Sequence, residues 1–284
     1  MTTSRLTSTA FGGLCRNLRL LLKVSEYELR KASVFRTGFL VKELLRGTTR
    51  AAVAIFVFRA IFQLRERSTI GPYDFAAIVQ YLILAALAQK LCFDRRGIDL
   101  ADQIFQGRIT KYLVMPFSLF VLPLGRFVQF QATQLVAASV LYGALALFLP
   151  QWCPVPASLS AALLALTLVL LGSFCYFLMY LVVQTLAFFL DVVWSLLVMA
   201  AFITHFMAGV SIPISIMPPA LQETFRMTFP YWSVFGAIEV GCGRFSMAEA
   251  LHGVLVLLCW ALATFFLYRF LWRRGVARYT GSGM

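Results

Sequence analysis

The chain has 284 residues, of which 61% are hydrophobic and 13% charged, with a formal net charge of +13. A soluble domain is nearer about half apolar and a quarter charged, so this composition excludes an ordinary soluble enzyme. The positive charge does not point to nucleic acid, because most Lys and Arg residues sit between apolar blocks and neither a basic tail nor a zinc pattern accompanies them.

The apolar blocks run to about 20 residues, enough to cross a hydrocarbon core of about 30 Å. Backbone groups in lipid must be satisfied within their own segment, so the blocks read as helices. A barrel would need alternating strands of about ten residues, and these blocks are continuous. The expected fold class is therefore an all-α integral membrane protein.

Residues 1–17 lack an apolar core and a cleavage site, so no signal peptide is expected. Residues 16–35 suit an amphipathic helix: Leu18, Leu21, Leu22 and Leu29 follow helical spacing, with Arg16, Arg19, Lys23, Arg30 and Lys31 mostly elsewhere. Such a helix lies in the cytoplasmic interface or stands beside it in solvent. The chain then divides into a cytoplasmic segment, 1–36, and one membrane domain, 37–284. Six spans are predicted, at 37–63, 74–93, 122–149, 158–187, 190–212 and 250–271.

The first predicted span carries Lys42, Glu43, Arg46, Arg50 and Arg59. Lys42, Arg46 and Arg50 are four apart and share one helical face. An intramembrane charge costs about 2.5–3.5 kcal/mol on insertion scales, less when it snorkels or meets water. The stripe thus either snorkels to headgroups or lines a cationic substrate path at the inner leaflet.

The loop at 94–117 is expected to hold a short amphipathic helix. Ile98, Ala101, Phe105 and Ile109 fall on one face, among polar Asp99, Asp102, Gln103, Gln106 and Arg108. This face suits a groove on another protein, or else the bilayer surface. Between spans five and six, Pro213, Pro218, Pro219 and Pro230 mark a segment with a short helix at 215–228 and the aromatic run Phe229–Phe235. Trp and Tyr favour the membrane interface, so a re-entrant, extracytoplasmic hairpin is expected here.

Catalytic signatures are sparse. No GxxxxGK[ST] phosphate loop occurs, so this chain is not expected to hydrolyse ATP, and no HExxH occurs either. His205 and His252 lie on apolar stretches without a ligand set, and no metal site is expected. Asp94, Asp99 and Asp102 invite comparison with membrane prenyltransferases, which hold a magnesium pyrophosphate on oxygen ligands. Such enzymes need two facing clusters, and Glu26, Glu28, Glu43 and Asp191 do not compose a second. An ATP-independent carrier or channel is a further alternative. Of the six cysteines, Cys92, Cys175 and Cys259 lie in apolar blocks, while Cys153 and Cys242 lie on loops where a disulfide is conceivable.

Orientation follows from basic residues outside the spans. Seven precede span one (Arg5, Arg16, Arg19, Lys23, Arg30, Lys31, Arg36), four follow span two (Arg95, Arg96, Arg108, Lys111) and four end the chain (Arg269, Arg273, Arg274, Arg278). The other side has Arg65, Arg67, Arg226 and Arg244. Both termini are therefore expected in the cytoplasm.

Several stretches resemble a known family. Ile104-Phe-Gln-Gly-Arg-Ile-Thr-Lys-Tyr-Leu-Val-Met-Pro116 is similar to an I-x-x-G…L-x-x-P segment of ABC-2 type permeases, in the group formerly called domain of unknown function 990. Gly209-Val-Ser-Ile-Pro213, Met217-Pro-Pro, Phe229-Pro230-Tyr, and Trp272-Arg-Arg-Gly-Val-Ala-Arg-Tyr-Thr-Gly-Ser-Gly resemble its later motifs, and Phe35-Arg-Thr-Gly-Phe-Leu40 its approach to the first span. The resemblance runs from about residue 20 to the end. It implies six spans, a homodimeric or heterodimeric permease, and two copies of a separate ATPase that binds ATP and magnesium, with no cofactor on this chain. It makes the loop after span two, with Ile98, Ala101, Asp102, Phe105, Gly107 and Ile109, the coupling helix. It also implies export, and the inner membrane of a bacterial cell. The charged first span departs from the family, in which that span is usually almost wholly apolar.

Overall fold

The computed structural model describes Lys23, Glu26 and residues 52–64, 69–93, 99–114 and 119–279. The amphipathic stretch 16–35, the stripe Lys42, Glu43, Arg46 and Arg50, and residues Asp94 and Ile98 lie outside the described residues, apart from Lys23 and Glu26. A short helix, α1 (Ala52–Leu64), precedes two paired residues on each of β1 (Thr69–Ile70) and β2 (Tyr73–Asp74). Then come α2 (Phe75–Cys92), α3 (Asp99–Phe105), α4 (Thr110–Leu113), α5 (Val121–Phe148) and α6 (Leu159–Thr185). After them follow α7 (Trp194–Met207), α8 (Pro219–Arg226), α9 (Phe229–Tyr231), α10 (Ala237–Gly241) and α11 (Met247–Arg278).

Among the described residues, four helices are long and apolar enough to cross a membrane: Phe75–Cys92, Val121–Phe148, Leu159–Phe188 and Met247–Arg278. The regular structure of these described residues is helical apart from the small β1–β2 turn, as in an all-α membrane protein. Three of these helices start on polar caps. The Asp74 side chain accepts from the Ala77 amide, Ser158 from Ala161, and Ser246 pairs with Glu249 in a reciprocal capping box. Each cap satisfies first-turn amides that have no partner inside the helix.

The fifth predicted span is shorter than expected. Of 190–212, only Trp194–Met207 is α-helical, which at 1.5 Å per residue covers about 21 Å. Its end is set by Gly209, whose φ of 71° lies in the left-handed region. The sixth runs beyond its predicted limits, 250–271, to Met247–Arg278. The predicted helix 215–228 is split: a single turn at Ile214–Ile216 precedes α8. Pro218 and Pro219 cannot donate to a helix running through them, and Pro219 serves instead as a first-turn residue.

α6 and α11 pack along each other more extensively than any other pair of described elements. The Cys175 thiol on α6 donates to the Leu257 carbonyl on α11 at 3.2 Å. Residues 229–240 are buried without interruption, packed against α2, α6 and α11. Within them the backbone widens into a π-helical turn at Trp232–Gly236. Close packing needs small partners here. A Cβ on Gly172 would overlap Ser233, and one on Gly253 would overlap the Trp232 ring. Such glycines let backbones and large side chains approach in the absence of a hydrophobic drive between helices.

Much apolar surface faces outward instead, including Val136, Val140, Leu147 and Phe148 on α5 and Leu255, Leu262 and Phe266 on α11. Such faces suit lipid chains rather than water. Cys153 and Cys242 are free thiols.

Candidate functional site

The last turn of α6 and the last turns of α11 meet at one end of the bundle, hereafter the Tyr279 end. α3 begins there, and its Leu100 amide donates to Gln184 Oε1 at 3.1 Å. Gln184 is 1% exposed, so this bond fixes the start of α3 to a buried side chain of α6. α3 stops after Phe105 because Gly107 takes a φ of 67°, the left-handed conformation that commonly ends helices. The Gly107 carbonyl accepts from the Tyr279 hydroxyl at 2.9 Å and from Thr110 at 3.0 Å. The two hydroxyls are themselves 3.1 Å apart. Tyr279 lies edge-on to Phe188, as does Trp272. Gly275 leaves the space that Phe188 fills.

The segment 99–113 faces the opposite way from the sequence expectation. Ala101, Ile104 and Ile109 are 3%, 4% and 0% exposed, packed into the protein's own core. Phe105 and Gly107 are half-buried, while Asp102, Gln106 and Arg108 are exposed. Helical spacing put Ala101, Phe105 and Ile109 on one outward apolar face; the break at Gly107 instead folds Ile109 inward. A buried apolar face releases more free energy against the bundle than against water, and α3 takes that option.

The opposite end holds a polar network that sequence reasoning missed. Tyr73, just before α2, donates its hydroxyl to Glu239 Oε1 at 2.7 Å. Arg244 donates to the same oxygen at 3.0 Å and stacks over the Tyr73 ring, 5.0 Å from its centroid. Ser215 donates to the Tyr73 hydroxyl at 3.1 Å. Burial first, and then the Glu239 charge, push the Tyr73 phenol above its ordinary range. Glu239 is 4% exposed, and a buried carboxylate needs such partners. The available signal was a lone acid inside an otherwise apolar, aromatic stretch. Nearby, the Tyr81 hydroxyl donates to the Gly209 carbonyl at 2.6 Å. Arg226 pairs with Glu249 and lies against the Trp232 ring.

The four hairpin prolines are spread through this region. Pro213 precedes the turn at Ile214–Ile216, Pro218 and Pro219 open α8, and Pro230 sits in the first turn of α9. A groove of about 450 Å³ lies beside them on α7, lined by Val198, Phe202, His205 and Phe206 with Ser211, Ile212 and Met217. His205 is anchored through Nδ1, 2.6 Å from the Ala201 carbonyl, with its ring against Phe93. His252 packs edge-on to Trp232. Among the described residues no three His, Cys, Asp or Glu side chains gather as a metal-binding group.

A family model described as ABC-2 family transporter protein matches residues 49–283. The chain belongs to the ABC-2 transporter family. The match spans the segment Ile104–Pro116, the Gly209–Tyr231 region and the Trp272–Gly283 motif, so every contact described at both ends lies inside it. No curated protein matches the chain. As an ABC-2 permease it is a multi-pass membrane component of an ABC transporter, distinct from the ATPase with which such permeases associate. The contact between Gly107 and Tyr279 gives two of the family-like motifs, 172 residues apart, a shared physical purpose. One supplies a left-handed turn and the other closes it.

Proposed function

We propose that this ABC-2 permease is the membrane part of an exporter that moves an amphiphilic substrate out of the cytoplasm or the inner leaflet. ATP is hydrolysed on two copies of a separate ATPase, which hold the nucleotide and magnesium. Two permease chains, identical or related, enclose the path. The Tyr279 end faces the cytoplasm of a bacterial cell, both termini lie on that side of the inner membrane, and the segment 213–249 forms a re-entrant, outward-facing hairpin.

The observation that carries this reading is segment 99–113. It is anchored to the bundle through Ala101, Ile104 and Ile109 and turns Asp102, Gln106 and Arg108 outward. A partner docking there meets a polar face, with the edge of Phe105 and the turn at Gly107 beside it. Arg273, Arg274 and Arg278 stand at the same end, on the last turns of α11. The basic residues favour the cytoplasmic side and an acidic rim on the partner. Lys42, Glu43, Arg46 and Arg50 complete the reading as the cationic mouth of the path. The apolar groove on α7, with His205 and Ser211, suits the apolar part of an amphiphile.

The test is co-expression with an ATPase that carries a phosphate loop, followed by purification through a tag on the permease. A stable complex that hydrolyses ATP is expected, while the permease alone is inactive. Robust hydrolysis by the isolated chain, or no complex with any co-expressed ATPase of this kind, overturns the reading.

A further inference from the structure

Among the described residues, hydrogen bonds tie segment 99–113 to two of the long helices. Leu100 is fixed to Gln184 on α6, and Gly107 and Thr110 to Tyr279 just beyond α11. Phe188, after α6, fills the space at Gly275 on α11 and locks the two helix ends together. The same two helices grip the buried stretch 229–240 farther along. Gly172 of α6 lies against Ser233, and Gly253 of α11 against Trp232. Trp260 of α11 donates to the Met227 carbonyl at 2.9 Å, and the Ala157 amide, just before α6, donates to the Gly241 carbonyl at 3.0 Å.

We propose that Gln184 and Tyr279 are positioning residues that fasten the ATPase-facing segment to the α6–α11 pair, so that its displacement is delivered through that pair to the buried stretch 229–240. This rests on the reading that segment 99–113 meets the ATPase. The pair is suited to the task because closely packed helices move as rigid bodies rather than deforming continuously. α2 is the element against which such movement shows. It packs on the same buried stretch, with Tyr81 against Phe235, and adds single polar contacts, the Cys92 thiol with the Ser233 carbonyl and, just before α2, Tyr73 with Glu239, which can break and re-form.

The test uses the complete complex of permease and ATPase in lipid nanodiscs. Genetically encoded spin labels at positions 151 and 223 leave the native cysteines untouched. Gln151, in the turn Pro150–Trp152, serves as a reference tied to α2: its carbonyl accepts from Gln80, and the neighbouring Trp152 lies edge-on to Phe75. Glu223 is exposed on α8, ahead of the buried stretch. The distance between the labels is expected to change between the nucleotide-free complex and the complex trapped with ATP and vanadate.

Tyr279→Phe keeps the ring against Phe188 and removes both hydroxyl contacts; Gln184→Leu removes the acceptor for Leu100. Each is expected to cut the distance change to less than about half, with ATPase affinity altered less than about threefold. Gln184→Asn, which keeps an amide acceptor without adding charge, is expected to retain more of the change than Gln184→Leu. A full distance change in both variants overturns the proposal, as does no change in the native complex with ATPase bound. An ATPase that does not bind the native chain overturns the underlying reading instead.

Discussion

The Tyr73 hydroxyl and the Glu239 carboxylate meet at 2.7 Å although 166 residues separate them in the chain. The bond joins the start of α2 to α10 and places a charged acceptor where little water reaches it. Hydrogen bonds to charged groups contribute about 1.5–3 kcal/mol, against roughly 1 for a neutral pair. Tyr73→Phe is therefore expected to lower the thermal midpoint of the purified protein more than Tyr142→Phe. The latter removes only a bond to the Pro154 carbonyl, at a half-buried site. Equal shifts in a detergent melting experiment would show that Glu239 draws little from Tyr73.

Glycine placement gives a second contrast. A side chain on Gly253 has nowhere to go, because Trp232 already occupies the space, whereas nothing lies within 4 Å of a Cβ on Gly143. Overpacking costs about 1–3 kcal/mol, and replacing an unhindered helical glycine gains up to about 1 kcal/mol. Gly253→Ala is expected to lower the melting midpoint, and Gly143→Ala to leave it unchanged or raise it. A tolerated Gly253→Leu would mean that Trp232 does not sit where the packing requires.

The long spans α2, α5, α6 and α11 were legible because continuous apolar runs have few readings in a chain this hydrophobic. The end of α7 was less so. The residues after Met207 remain apolar, and hydropathy does not register the left-handed turn at Gly209. At segment 99–113 helical periodicity put Ala101, Phe105 and Ile109 on one outward face, whereas Ala101 and Ile109 are buried and Phe105 is half-buried. Gly107 was visible, yet a glycine in sequence does not announce a positive φ, and the turn there decides where Ile109 points. The network of Tyr73, Ser215, Glu239 and Arg244 joins three distant stretches, which no local pattern encodes.

For the docking surface, the geometry separates two classes of substitution. Ile109 is fully buried, so Ile109→Asp places an uncompensated charge in the core and is expected to abolish folded protein. Asp102 and Arg108 are exposed, so the pair Asp102→Lys and Arg108→Glu is expected to leave the melting midpoint unchanged. The same pair is expected to weaken ATPase co-purification about tenfold, chiefly through slower association that high salt masks. Undiminished co-purification by both single replacements and the pair would place the ATPase contact elsewhere on the permease.

The membrane orientation can be read directly from two described positions. α6 runs about 40 Å from Leu159 to Thr185, so the turn before it and segment 99–113, held at its last turn, lie at opposite ends. Gln151 and Arg108 are both exposed. In intact spheroplasts a cysteine at Gln151 is expected to react with a membrane-impermeant maleimide, and one at Arg108 only after the inner membrane is opened. Both substitutions spare the side-chain contacts described above, so expression and insertion are expected to match the native chain. The basic residues near Arg273 and Arg278 predict this sign of the result through their preference for the cytoplasmic side. The reverse labelling pattern would invert the protein, place segment 99–113 away from ATP, and remove the basis for coupling through it.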